Sequence, residues 1–214
     1  MGRPSNARDR LLDSAVALIQ TRSYESVGVQ ELCEHAGVKK GSFYHFFPSK
    51  EALTVALLEH RWQAFREQLR REVMDPASEP LVRVRRFVML HAQAQVSLRD
   101  DCGRTPGCCF GNLAAELSTL SEPVRCQLEM IFAEQIALLE QVLDEAVVAG
   151  AIREIDVPDG ARAIVAFVQG TLMLSKLHDR PEMVEELADH ALALVGVTGV
   201  QAASGDRARS RSPA

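Results

Sequence analysis

The sequence predicts an all-α fold, with an N-terminal three-helix unit containing a helix-turn-helix joined through a long fourth helix to a larger helical domain. Three observations carry this. From Leu81 onward every segment places apolar residues at helical spacing, and no strand-like alternation survives counting. The breaks between segments are short and polar or contain Gly or Pro, as connections between packed helices are. The run Leu32 to Leu53, L-C-E-H-A-G-V-K-K-G-S-F-Y-H-F-F-P-S-K-E-A-L, lays out a helix, a Gly-centred turn, a second helix with basic, hydroxyl and aromatic groups, and a capped third helix.

The first helix is expected over Asn6 to Thr21, where Leu11, Ala15, Leu18 and Ile19 share a face and Arg8, Asp9, Asp13 and Gln20 lie largely elsewhere. A break at Ser23 to Ser26 leads to a short helix from Val29 to His35, with Gly28 as its N-cap and Gly37 as a positive-φ stop. The third starts near Lys39 and ends before Pro48, because proline disfavours α geometry at the residue preceding it. Ser49 is a good N-cap for a long fourth helix running through Leu53, Leu57, Trp62, Phe65 and Leu69 toward Val73. After the turn Asp75 to Pro80, helices are expected over Leu81 to Leu98, Cys108 to Leu120, Glu122 to Ala149, Pro158 to Leu177 and Pro181 to Val195. The domains read as 5–65, 66–198 and a tail, 199–214, with so little to bury that it is expected to be disordered.

The 214 residues, 47% of them hydrophobic, suffice for a substantial core. No apolar stretch approaches the ~20 residues of a membrane span. Nothing apolar follows the basic N-terminus as in a signal peptide, and Asn6 replaces the hydroxyl of a myristoylation signal. A cytoplasmic protein without a membrane partner is expected. The net charge of −5 is unevenly placed: residues 1–50 hold seven Lys/Arg against five acids, the remainder 17 against 24. One end suits phosphates and the rest does not.

A helix-turn-helix lays its second helix in the major groove, where the first turns meet base edges and flanking groups hold phosphates. Lys39 and Lys40 offer cations to phosphate or guanine, Ser42 a hydroxyl, and Tyr44 and His45 a phenol and an imidazole, while Gly41 permits close backbone approach. Ser49-Lys50 opens the next helix, whose unpaired N–H groups can hold a backbone phosphate, with Lys50 adding its charge.

Across nearly all of Ser26 to Leu53 the run resembles the signature of the TetR family of bacterial transcriptional regulators, in A36-G37-V38, G41-S42-F43-Y44, F47 and S49-K50-E51-A52-L53. The resemblance implies DNA contacts from Lys40, Ser42, Tyr44, His45 and Lys50, and core roles for Phe43 and Phe47. Phe46 stands where the family often has His or Tyr. Arg3, in G-R-P-S, resembles the basic arm that some members place near the minor groove. The implied function is a dimeric repressor of a palindromic operator, released by a small-molecule effector bound in the larger domain. Alternatives are a thiol-based regulator and a helical enzyme or small-molecule-binding protein. No nucleophile beside a base, paired carboxylates or phosphate-cradling Gly loop points to an enzyme, and no cofactor is expected.

The resemblance further implies that C-terminal helices form a four-helix dimer interface, for which Leu128, Leu139, Leu143, Phe167, Gly170 and Leu174 are candidates; the same residues also suit one subunit's own core. Gly170 in mid-helix suggests close helix approach. The middle helices are implied to enclose the effector pocket, for which Trp62, Phe65, Met89, Phe110, Phe132 and Met173 are candidates, although an aromatic or Met in such a stripe is more often plain core.

Gly107 to Arg125 resembles the ligand-domain segment of a TetR branch, some of whose members sense electrophiles or oxidants through a cysteine placed like Cys108. A thiol near a helix N-terminus has a lowered pKa, and Arg104 would add to the effect. Cys108 is thus either a sensor thiol or, with Cys109, a small buried hydrophobe. Metal binding finds little support, since Cys102, Cys108 and Cys109 form no C-x-x-C pair and have no histidine at ligand spacing.

Overall fold

A computed structural model describes residues 7–153 and 155–197; the expected contact Arg3 and the tail 199–214 lie outside the described residues. The chain folds into α1 (Ala7–Thr21), α2 (Val29–Ala36), α3 (Lys40–Phe46), α4 (Lys50–Val73), α5 (Pro80–Cys102), α6 (Cys109–Leu117), α7 (Glu122–Val148), α8 (Val157–His178), α9 (Met183–Glu186) and α10 (His190–Ala193). There is no strand among the described residues.

Local chemistry sets the ends of the first four helices. Gly37 takes φ 60°, and the N–H groups of Gly37 and Val38 donate to the carbonyls of Glu34 and Cys33, closing α2 with a left-handed cap. Phe47 is extended, as the following proline demands, so α3 stops after seven residues. The Ser49 hydroxyl accepts the Ala52 N–H at 3.0 Å and starts α4. Leu11, Leu12, Val27, Leu32, Phe43, Leu53 and Leu57 are fully buried, where α1 packs against α2, α3 and α4 and α2 packs against α3.

The second half of α4 belongs to the larger bundle, where Leu69 and Val73 are buried and α4 packs against α5 and α7. Arg83 of α5, only 1% exposed, is satisfied by the Val73 carbonyl at 2.6 Å and by the Glu145 carboxylate of α7, tying three helices together. A buried charge persists only with such partners.

Two sequence expectations need correction here. Pro181 to Val195 is not one helix: α9 and α10 are separate single turns, and Ala188, His190, Ala191 and Leu192 donate to carbonyls three residues back. The buried set Val184, Ala188, Ala191, Leu192 and Val195 keeps helical spacing through this tightened backbone, which is why the pattern reads as continuous. Gln20 does not lie on the polar face of α1; it is 4% exposed, because it falls in the row of Leu12 and Val16.

Candidate functional site

The exposed face of α3 carries Lys40, Gly41, Tyr44 and His45, one helical turn apart in pairs, with Lys39 at its N-cap and Ser42 half-buried at its edge. Neither Lys39 nor Lys40 has a side-chain hydrogen-bond partner among the described residues, and a Cβ added at Gly41 would meet nothing within 4 Å. Phe43 and Phe47 point the other way, with rings 6.0 Å apart in the core. Two cations, a phenol and an imidazole thus share a convex face whose backbone is open at Gly41.

Lys50 departs from the expectation of a solvent-facing phosphate ligand. Its ammonium donates to the carbonyls of Tyr24 at 3.0 Å and Val27 at 3.1 Å and sits 3.9 Å from the centroid of the Tyr24 ring. It binds the α1–α2 turn to the start of α4. The same turn is gripped from the larger domain, since the Glu116 carboxylate of α6 accepts the N–H groups of Tyr24 at 2.9 Å and Glu25 at 3.1 Å. Beside it, the hydroxyl of Ser121, which caps α7, donates to Glu51 of α4 at 2.6 Å.

A cavity of about 200 Å³ lies beneath α4. Arg61, Phe65 and Gln68 come from α4; His91, Gln95 and Leu98 from α5; Gly107 to Phe110 from the start of α6; Leu172 from α8; and Gln20 from the end of α1. Gln95 clamps Gly107, accepting its N–H at 3.0 Å and donating to its carbonyl at 3.3 Å. Gly107 has φ 75°, which suits only glycine without strain. Buried His91 lies 2.9 Å from the Phe87 carbonyl through Nδ1, and burial pushes its pKa down to about 4. The ring is therefore neutral at pH 7, Nδ1–H donating and Nε2 left as an acceptor.

Of the residues expected to line a pocket, Phe65 and Phe110 do so. Trp62 stands behind them as core, 3% exposed and edge-on to Phe110 at 6.2 Å between ring centroids. Met89 lines a separate depression on the other side of α5, Met173 is 62% exposed on α8, and Phe132 is half-buried on α7. Helical phase turns these three away from the cavity. The polar wall, with Gln20, Arg61, His91 and Gln95, was missed; its available signal was a polar group inside an apolar row, as in Val84, Phe87, His91 and Gln95 at spacings of three and four.

Of the two readings of Cys108, the surroundings favour the packed thiol over the sensor thiolate. Cys108 is the N-cap of α6 and its Sγ accepts the Gly111 N–H at 3.4 Å, yet burial raises its pKa against the opposing pull of the Gly111, Gln169 and Phe110 contacts and of Arg61. Burial likewise pushes the neighbouring Cys109 up to about 12. The nearby guanidinium is that of Arg61, not Arg104. Both groups remain thiols at neutral pH. Among the described residues no group of His, Cys, Asp and Glu could hold a metal ion, and no helix is long and apolar enough to cross a membrane.

The six expected interface residues divide. Leu128, Leu139 and Leu143 are 3% exposed or less inside one chain, so they form its core. Phe167, Gly170 and Leu174 lie with Ala163, Ala166, Met173 and Leu177 on an outward row of α8, where Met173 and Leu177 are 62% and 73% exposed. A Cβ at Gly170 meets nothing within 4 Å, so the close helix approach expected there is not made within the chain.

A small helix-turn-helix unit with a cationic recognition face, fused to a helical domain around a cavity, defines the class of ligand-domain transcription regulators that bind DNA. Residues 11–57 match the family model for bacterial regulatory proteins of the tetR family, and residues 80–191 match a tetracyclin repressor-like C-terminal domain. The Cereibacter sphaeroides transcriptional regulator AcuR is 30% identical over 188 residues, covering 85% of this chain and 84% of that protein. A solved structure of a TetR regulatory protein from Rhodobacter sphaeroides aligns with TM-score 0.79 at 28% identity, covering 87% of this chain and 97% of that one. The reduced form of NemR from E. coli aligns with TM-score 0.75, also at 28% identity, covering 89% and 98%. The chain belongs to the TetR family of bacterial transcriptional regulators.

Proposed function

We propose that this chain is a cytoplasmic, dimeric repressor that leaves a two-fold operator when a small molecule enters the cavity beneath α4. The observation that carries this reading is the double role of α6. Phe110 forms cavity wall, and Glu116, less than two turns on, holds the backbone of the turn before the helix-turn-helix. A ligand that displaces α6 by an ångström breaks those hydrogen bonds. A differential affinity of a few kcal/mol between the two arrangements is enough to shift their populations.

On the DNA side, Lys39, Lys40, Ser42, Tyr44 and His45 make the contacts, and Lys50 acts through the turn it binds. The domain boundary falls within α4 near residue 65, so the long helix transmits the shift. The outward apolar row of α8 packs against a second copy of the chain, with Gly170 at the close approach, and spaces the two α3 helices by about 34 Å, one turn of DNA. The protein has no catalytic role in this reading.

The test is to select bound DNA from a random pool with the full chain and to footprint the result. An inverted repeat protected on both half-sites is expected, with Leu174→Glu giving a monomer by sedimentation and losing the footprint. Protection of DNA without two-fold symmetry, or a wild-type monomer at micromolar concentration, overturns the reading.

A further inference from the structure

We propose that the cavity beneath α4 takes a small monocarboxylate, its carboxylate held by Arg61 and the Gln20 carboxamide and its apolar body, of about one six-membered ring, lying against Phe65, Leu98, Phe110 and Leu172. The proposal rests on the effector reading above and names the chemistry of that effector.

Charge is the first argument. Arg61 is the one formally charged residue of the cavity lining, which contains no Asp or Glu. Arg66, farther along the same helix, pairs with Glu134, whereas Arg61 has no ion-pair partner among the described residues. An unpaired guanidinium at a half-buried wall favours an anion with two coplanar oxygens, since its N–H groups form a fixed fork. The neutral His91 supplies no second cation, so a dianion would leave one charge buried without a partner.

The wall also holds an unused donor. Gln20 is 4% exposed and lines the cavity, yet its Nε2 has no hydrogen-bond partner. Buried amide groups are nearly always paired, and this Nε2, closed off in the wall without a partner, gains an acceptor when a carboxylate stands beside it. The other deeply buried carboxamide of the wall, Gln95, is already engaged with both polar groups of Gly107. A carboxylate oxygen satisfies Gln20. Gln20 also belongs to α1, so the same bond joins the ligand directly to the DNA-binding unit.

Size and surface set the remainder of the ligand. A cavity of about 200 Å³ compares with the ~150 Å³ that accommodates benzene, so a single ring bearing a carboxylate fits within it. Two aromatic and two leucine side chains line the apolar part. Cys108, half-buried, touches this space, and a carboxylate offers its thiol no electrophile, so binding is by contact.

The test uses the full-length protein, with calorimetry and thermal melting in propionate, benzoate and the neutral isostere benzamide. At least one carboxylate binds and raises the melting temperature, and benzamide binds benzoate's site about tenfold more weakly or worse. Arg61→Met loses about tenfold to a hundredfold in carboxylate affinity, the cost of one charge-assisted hydrogen bond. Gln20→Leu weakens binding several-fold without lowering the melting temperature of the ligand-free protein, which keeps the question open to measurement if Arg61→Met fails to fold. No binding of either carboxylate, benzamide equal to benzoate, or both variants binding like wild type overturns the proposal. Operator affinity is measured in the same samples. Intact operator binding without carboxylate binding overturns only the ligand assignment, and carboxylate binding that leaves operator affinity unchanged overturns only the effector reading.

Discussion

The recognition helix and the cavity both depend on polar side chains, but they hold them in opposite ways. On α3, Lys40, Tyr44 and His45 are exposed and Lys40 has no side-chain partner, while Phe43 beneath them is completely buried. In the cavity wall, Gln20, His91 and Gln95 are themselves buried, each 6% exposed or less, with Gln95 clamped on Gly107 and the Gln20 amide nitrogen unpaired. DNA supplies its own dense array of phosphates and base edges, so the protein needs only a rigid convex face. A small ligand must be enclosed, and the groups that recognise it must bear the cost of burial before it arrives. The first site is therefore robust to its surroundings and the second is poised.

Four measurements bear on that contrast, taken from the largest expected effect. Phe43→Ala removes the fully buried support of α3 and should destabilise the protein by about 3–5 kcal/mol in chemical denaturation, reducing operator affinity with it. A change below about 1 kcal/mol would mean that the recognition face does not depend on its core.

His91 makes stability pH-dependent. Its folded-state pKa, pushed down to about 4, lies below the ordinary value of 6.5, so the unfolded chain binds more protons between those limits. The stability is fully present above pH 6.5 and falls as the pH drops toward 4, by about 3 kcal/mol in all. Urea midpoints across that window should lose this slope in His91→Phe; an unchanged slope would locate the titration elsewhere.

Glu116→Ala deletes the acceptor of two backbone N–H groups in the half-exposed turn between α1 and α2, and about 1–2 kcal/mol of operator affinity should go with it. Binding in the cavity should persist. Operator binding that survives intact would show that the turn does not depend on α6.

The smallest effect separates two lysines. Lys40→Ala should lower the slope of log affinity against log salt by about one, as loss of a phosphate contact does, whereas Lys50→Met should leave the slope nearly unchanged and lower stability instead. Equal salt slopes for both variants would contradict the inward role of Lys50.

Much of this molecule is legible in order along the chain. The limits of α2, α3 and α4 follow from Gly37, Pro48 and Ser49, each acting on its own neighbours. The exposed face of α3 follows from helical spacing alone. Lys50 is different: its partners, the carbonyls of Tyr24 and Val27, become neighbours only when α4 packs against the preceding turn. The cavity is different for the same reason, since five helices and the loop before α6 contribute to its wall. Apolar periodicity finds Phe65 and Phe110 there but cannot distinguish cavity wall from core, as Trp62 illustrates by standing one layer behind. The α9–α10 segment is a third case, with burial at helical spacing carried by a tightened backbone.

By itself the sequence determined the all-helical class, the helix-turn-helix with its caps, and the charge asymmetry that turns one end toward DNA. These depend on spacing and on residues a few positions apart, which one chain segment contains in full. Only the tertiary structure decided that Lys50 turns inward, that Cys108 remains a thiol, that Leu128, Leu139 and Leu143 are core, and that Gln20 and Arg61 meet at one cavity. Burial, desolvation and partner choice are properties of a packed neighbourhood, and that neighbourhood exists only once distant helices have come together.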